Sequence, residues 1–263
     1  MSPSDRQQLP AALTRAGPPV SRFARQPSAR IRLVCFPHAG GGPAVFARWA
    51  YQLAPETELW NAVLPGRPPR AHERFTADWA DLVREFADEI GESVPRPYAL
   101  LGQSLGAAIA FEVSRELGTR GSPPVHLFVS ASAAPDRRPG QPVPEDDQAL
   151  IRLVDERYGG LPPAVRAEPE LLGYFLPVLR ADLRLASAYR YRPGAALGVP
   201  LTVFAGDRDP TVPAAGAAGW ARHTTADCEV HLLDGGHFCL NDHEPRVLSI
   251  IRRRLRPAPP ASD

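Results

Sequence analysis

Lysine is absent from this chain: every one of its 30 basic residues is arginine. With 29 acidic residues against them the formal net charge is only +1, so nothing supports nucleic-acid binding through a global positive field. Together with 31 prolines, the arginine excess reads as a composition bias and not as a site. Cysteine is also scarce. Cys35, Cys228 and Cys239 are an odd set without C-x-x-C spacing, which excludes a disulfide framework and a zinc site and leaves them as small buried apolar residues. No metal is expected, because no H-E-x-x-H or similar spacing occurs; "HERFT" after Ala71 lacks the second histidine. No apolar run approaches a membrane span, and residues 1–30 lack the apolar stretch of a secretory signal. A cytoplasmic protein is therefore expected.

What is present is a rhythm. β-rich runs at Ile31–Phe36, Glu58–Leu64, Tyr98–Leu101, Val125–Ala131, Leu201–Ala205 and Glu229–Leu233 read as strands. Helical patterns at Ala44–Leu53, Trp79–Ile90, Ala107–Leu117 and Arg246–Leu255 alternate with them. Strands alternating with helices predict an α/β fold whose mostly parallel central sheet carries helices on both faces. From residue 136 to 195 the rhythm breaks: no strand is expected, only helical patterns at Gln148–Tyr158 and Glu168–Tyr189. The chain is thus divided into a tail at 1–20, a body at 21–256 (core 21–135 and 196–256), and a tail at 257–263. The insert at 136–195 is read as a helical lid over the strand ends, against a plainer reading as a rigid cap.

The chemistry starts at "LLGQSLGAAIAFEV", where an apolar run turns into an amphipathic helix. Gly102-Gln103-Ser104-Leu105-Gly106 fits the G-x-S-x-G nucleophile elbow. Roughly 0.1 chance matches are expected in a chain this long, so context has to decide. A serine hydroxyl needs a base, and the base needs an orienting acid. In hydrolases built on this elbow, Asp or Glu and then His follow the serine, each on a loop after a strand. "GDRDP" after Leu201–Ala205 supplies Asp207 and Asp209; "DGGHF" after Glu229–Leu233 supplies His237. Asp209 is preferred for its G-x-x-D spacing, while Asp207 would cap the turn. The other histidines weighed (His72, His126, His223, His231 and His243) lie in polar stretches, on strands or at the surface. For the developing oxyanion, Leu105 N–H is one donor, and the glycine loop "PHAGGG" after the first strand offers Ala39 as the second, with Gly40 as the alternative.

The blocks "RLVCFPHAGGGPAVFARW", "LPGRPPR", "LLGQSLGAAIAFEVSREL", "FLPVLRADLRLASAYRYRPG", "AGDRDPTV" and "GWARHTTADCEVHLLDGGHFCL" resemble type II thioesterases, the discrete editing hydrolases of modular polyketide synthases and nonribosomal peptide synthetases. The likeness runs from about Arg22 to Leu255. It implies an α/β-hydrolase fold and Ser104, Asp209 and His237 as the catalytic set. It further implies hydrolysis of acyl thioesters from the phosphopantetheine arm of acyl or peptidyl carrier protein domains, which are the expected partners. No cofactor, nucleic acid or membrane is implied, and a monomer is expected. Two departures stand out: Gln103 replaces the family's usual histidine, and Phe238-Cys239 replaces an aromatic pair. Gln103, Phe175, Leu176 and Leu179 are candidate substrate contacts. Arg67, Arg70, Arg137 and Arg138 are candidates for docking an acidic carrier near the site mouth. A carboxylesterase, an acyltransferase and a non-catalytic carrier-binding module are the alternatives; the intact trio argues against the last.

Overall fold

The computed structural model describes residues 17–75, 78–138 and 140–256. A seven-stranded sheet runs through the molecule in the order β1-β3-β2-β4-β5-β6-β7. The strands are β1 (Val20–Arg22), β2 (Ile31–Phe36), β3 (Thr57–Ala62), β4 (Tyr98–Gln103), β5 (Leu127–Ser130), β6 (Leu201–Gly206) and β7 (Cys228–Leu233). Every neighbouring pair is parallel except β1 with β3. Parallel strands need crossovers, and crossover helices bury both faces of the sheet. That explains why β2, β4 and β6 read as nearly continuous apolar runs instead of alternating ones.

The pleat sends successive residues of each strand into two separate cores. Val34, Tyr98, Leu100, Val129 and Val203 face a core that includes α2 (Trp79–Ser93) and α3 (Leu105–Thr119). Leu33, Leu101, Phe128 and Phe204 face the opposite one, closed by α1 (Ala47–Gln52) and α9 (Glu244–Leu255). Cys35 and Cys239 are buried in this second core and Cys228 is half-buried, all three as free thiols.

The insert holds α4 (Asp147–Tyr158), α5 (Pro163–Ala167) and α6 (Pro169–Ala188), with no strand among its described residues. It has its own small core of Leu150, Val154, Leu161, Leu176, Leu179 and Leu183. Two elements differ from the sequence reading. Strand β1 begins at Val20, inside the stretch read as tail, because Val20 is buried against Ala62 and the Val63 N–H donates to Pro19 O at 2.8 Å. Three residues are too few to show an alternating pattern. The helix expected at Ala44–Leu53 opens as a 3-10 turn, Pro43–Phe46, before α1 begins. Residues 1–16 and 257–263, read as tails, lie outside the described residues. Among the described residues no helix is long and apolar enough to cross a membrane.

Between β5 and β6, His126 is buried, stacked 4.2 Å from the Phe128 ring, with Nε2 2.9 Å from Thr202 Oγ1. Burial lowers its pKa to about 4, helped by the Arg254 charge and opposed by Glu229. The folded state therefore holds fewer protons than the unfolded chain, whose histidines titrate near 6.5. Stability contributed by this site is complete above about pH 6.5 and is lost as the pH falls toward 4. Denaturant midpoints measured between pH 7 and pH 5 should fall less for His126→Asn than for the wild type; equal slopes would remove His126 as a source of acid sensitivity.

Candidate active site

All parallel strands deliver their C-terminal ends to one edge of the sheet, and the candidate residues meet there. Between β4 and α3 the chain turns at Ser104 with φ 57° and ψ −111°. Such angles are strained for a residue with a side chain. They are tolerated because the neighbouring glycines let the backbones close in: a Cβ on Gly102 would lie 2.2 Å from Gly106 O, and one on Gly106 would lie 2.1 Å from Phe36 O. The Ser104 N–H is tied to Ser130 O at 2.8 Å. The elbow thus aims Oγ away from the sheet at the positive end of α3.

His237 reaches it from the loop after β7. Its Nε2 lies 2.9 Å from Ser104 Oγ, and its Nδ1 lies 2.8 Å from Asp209 Oδ2. The Asp209 side chain is fully buried and also accepts from the Thr211 N–H at 2.8 Å and Oγ1 at 2.7 Å. Burial alone would raise its pKa, but the bonds from His237 and Thr211 outweigh that and hold the carboxyl below its ordinary value. Asp207 does something else. It is half exposed, and its Oδ1 accepts the Gly235 N–H at 2.9 Å, stitching the β6 loop to the loop that carries His237.

The glycine loop after β2 brings the second anion-binding element. Among the described residues no group accepts from the Ala39 or Leu105 N–H, whereas the Gly40 N–H is committed to Asp182 Oδ2 at 2.7 Å. That removes Gly40 as the alternative donor. Asp182 lies on α6, and its other oxygen takes Arg67 Nη2 at 2.7 Å while Arg67 Nη1 donates to Gly41 O at 2.7 Å. Both side chains of this ion pair are only 5% exposed. Burial pushes the Asp182 carboxyl up, against the downward pull of Arg67 and the Gly40 N–H. A helix of the insert therefore clamps the loop beside the nucleophile.

Two cavities open on Ser104 and His237. The first, of about 450 Å³, is lined by apolar groups including Val154, Leu161, Phe175, Leu179 and Leu183, with His38 beside the oxyanion loop. The second, of about 400 Å³, is the more polar of the two, with a mixed lining that carries Arg137, Arg138 and Arg157. Both volumes suit a bound small molecule or a limb of a larger one.

Residues 31–255 match the thioesterase domain family model. The chain belongs to the thioesterase family. It is 36% identical over 244 residues to thioesterase PikA5 of Streptomyces venezuelae, covering 90% of this chain and 85% of that protein. It superposes with a TM-score of 0.83 on the type II thioesterase BorB of the borrelidin biosynthetic cluster, at 32% identity, covering 92% of this chain and all of the other. RedJ, a thioesterase of the prodiginine pathway in Streptomyces coelicolor, superposes with a TM-score of 0.82 at 34% identity, covering 94% and 97% of the two chains. The chain is accordingly a thioester hydrolase with the α/β-hydrolase fold.

Several sequence expectations about this thioesterase need correction. Gln103 does not reach either cavity: it is fully buried under the elbow, with no hydrogen-bond partner for its amide among the described residues. Leu176 packs inside the insert's own core, while Phe175 and Leu179 line the apolar cavity. Arg67 and Arg70 are not surface docking groups. Both are buried, Arg70 bonding Glu73, Glu85 and, at 2.9 Å, Val63 O. His223, read as a surface or strand residue, is buried, with Nε2 2.9 Å from Asp136.

Three contributors were missed. Tyr158, at the end of α4, sets its ring 4.8 Å from the His237 imidazole; nothing local in the sequence marks it. His38 donates from Nδ1 to Ala39 O at 2.9 Å, and burial, with the charges of His237 and Arg67, lowers its pKa to about 4 against the pull of the Ala39 carbonyl. Asp182 did leave a signal: it is a carboxylate at helical spacing from Leu179 and Phe175, on an apolar stripe.

Asp182→Asn leaves Arg67 buried without a counter-charge and loosens the oxyanion loop. Removing one partner of a buried pair costs about 3–5 kcal/mol, and loss of one oxyanion donor costs roughly 10²–10³ in kcat. The expected result is a lower denaturation midpoint with slower labelling of Ser104 by a fluorophosphonate. Wild-type labelling in a destabilised protein would mean that the ion pair serves packing alone.

Proposed function

We propose that this thioesterase hydrolyses acyl thioesters held on the phosphopantetheine arm of carrier protein domains, clearing stalled or aberrant acyl groups from a polyketide or nonribosomal peptide synthase. The reading rests first on the Ser104–His237–Asp209 line at the junction of the two cavities, with two unengaged amides beside it. The carrier-borne substrate is argued from the relatives: BorB belongs to the borrelidin cluster, and YbtT, at 28% identity and TM-score 0.78, is a type II thioesterase of a mixed synthetase and synthase pathway.

In this mechanism His237 Nε2 takes the Ser104 proton as Oγ attacks the thioester carbonyl. Asp209 holds the imidazole in the Nδ1–H tautomer and balances the imidazolium charge. The tetrahedral oxyanion is met by the N–H groups of Ala39 and Leu105, aided by the N-terminal end of α3. When the carbon–sulfur bond breaks, His237 returns its proton to the departing thiol. Water then enters, gives a proton to His237 and attacks the acyl-enzyme; the free acid leaves and Ser104 is restored.

Ser104→Ala should fold normally and lose several orders of magnitude in rate, measured by thiol release. Asp209→Asn should lose about 10⁴ through the wrong tautomer, whereas Asp207→Asn should lose far less, since Asp207 only bridges two loops. The reverse ranking would move the orienting role to Asp207. The substrate class is tested by comparing one acyl group on a carrier protein, on N-acetylcysteamine and as an oxygen ester. The carrier-bound thioester should be cleaved fastest and the oxygen ester slowest. Equal kcat/KM on carrier and small thiol would end the carrier-protein reading, and a preference for the oxygen ester would favour a carboxylesterase.

A further inference from the structure

The two cavities that meet at Ser104 differ in chemistry, and a thioester has two limbs to place. The second cavity contains Arg137, Arg138 and Arg157, and no Asp or Glu lines it among the described residues. Among the described residues none of the three arginines has a carboxylate within ion-pair distance, in contrast to the paired Arg67 and Arg70. Asp136, next in sequence to Arg137, is turned away to Arg222 at 2.8 Å and His223 at 2.9 Å. Glu112, which reaches Tyr189 beside Arg138, is already bound to Arg115 at 2.9 Å. Of the three only Arg138 is half-buried; Arg137 and Arg157 are solvated, and together they give this cavity a positive field that attracts an anion.

Their order along the cavity is informative. Arg138 is the inner one: it is half-buried and donates to Ser104 O at 3.2 Å and to Ser132 Oγ. Arg137 and Arg157 are exposed at the solvent side, Arg157 bonding the Gln141 amide oxygen. A ligand with neutral polar groups near the reacting carbon and an anion at its far, solvent end fits this sequence of charges. An acyl chain carrying a carboxylate close to the carbonyl does not, since the exposed pair would go unused.

From this we infer that the polar cavity holds the thiol-side limb of the substrate, with Arg138 meeting its amide carbonyls and Arg137 and Arg157 binding its terminal phosphate. The apolar cavity is left for the acyl chain. The inference rests on the proposed function and adds the subsite that tells a phosphorylated arm from a plain thiol. Arginine pairs bind phosphate by charge-assisted, often bidentate, hydrogen bonds.

The test needs no carrier protein at its core. One acyl group, hexanoyl, is presented on pantetheine, on 4′-phosphopantetheine, on coenzyme A and on a carrier protein, and kcat/KM is measured for each. The wild type should prefer phosphopantetheine to pantetheine by about 10-fold, and Arg137→Ala/Arg157→Ala should reduce that ratio to about 2-fold or less. Arg157→Lys, which keeps the charge, should retain part of it. The coenzyme A and carrier arms then separate the two natural sources of the phosphate: a step on the carrier alone assigns a single phosphodiester, and a step on both assigns any phosphorylated arm. A wild type indifferent to the phosphate, or a double variant that keeps the full ratio, overturns the inference even where the carrier preference stands. A double variant that instead loses malonyl relative to propionyl turnover also overturns it, by assigning the cavity to an anionic acyl group. Loss of carrier preference with the phosphate step intact would instead sink the proposed function and leave the subsite standing.

Discussion

The close approach of three backbone segments at Gly102, Ser104 and Gly106 is the constraint on which the site depends. Strand β4 ends, the chain reverses at a positive φ, and the first turn of α3 lies against both its own strand and the carbonyl of Phe36. Any side chain at the two glycines would push these segments apart. Holding them together does three things at once: it lifts Ser104 Oγ clear of the sheet, points the helix N-terminus at the reacting atom, and sets the Leu105 N–H near the loop that carries Ala39. The strain is met by core packing around it, since Leu101, Leu105 and Phe36 are all buried.

Around that fixed point the arginines divide into two populations. Those that are buried are paired: Arg67 with Asp182, Arg70 with Glu73 and Glu85. They are internal struts, and through Arg67 the insert and the oxyanion loop become one mechanical unit. A buried pair of this kind contributes modest net stability but specifies geometry, because either partner alone would be an uncompensated charge. Those facing the polar cavity are unpaired and retain their charge for a ligand. The near-zero net charge of the chain conceals this division. Burial and pairing decide it.

Much of the fold was legible because its signals are local. β2 is an apolar run of parallel-strand type, and its observed limits equal the expected ones, Ile31–Phe36. α2 and α6 followed from helical spacing of apolar residues, within a few residues at either end. The antiparallel β1 was invisible because three residues carry no period, and its pairing with β3 is set by the sheet edge it covers. In the site, Ser104 and His237 could be read from turn chemistry after strands. The G-x-x-D spacing already favours Asp209 over Asp207; the structure adds the direction of each side chain, Asp209 toward His237 and Asp207 toward the Gly235 N–H.

The sequence by itself determined the order of strands and helices, the elbow and the loops on which a base and an acid would sit. Those features are encoded over a few residues by apolar period, glycine placement and strand–loop junctions. Tertiary structure alone decided which groups across long separations meet: Asp182 with Gly40 and Arg67, Tyr158 with His237, and Arg138 with Ser104. It also decided which arginines are struts and which are free, and that Gln103 lies under the site and not in it. Contacts of this kind depend on how the insert docks over the strand ends, and docking is a property of complementary surfaces with no local period in the chain.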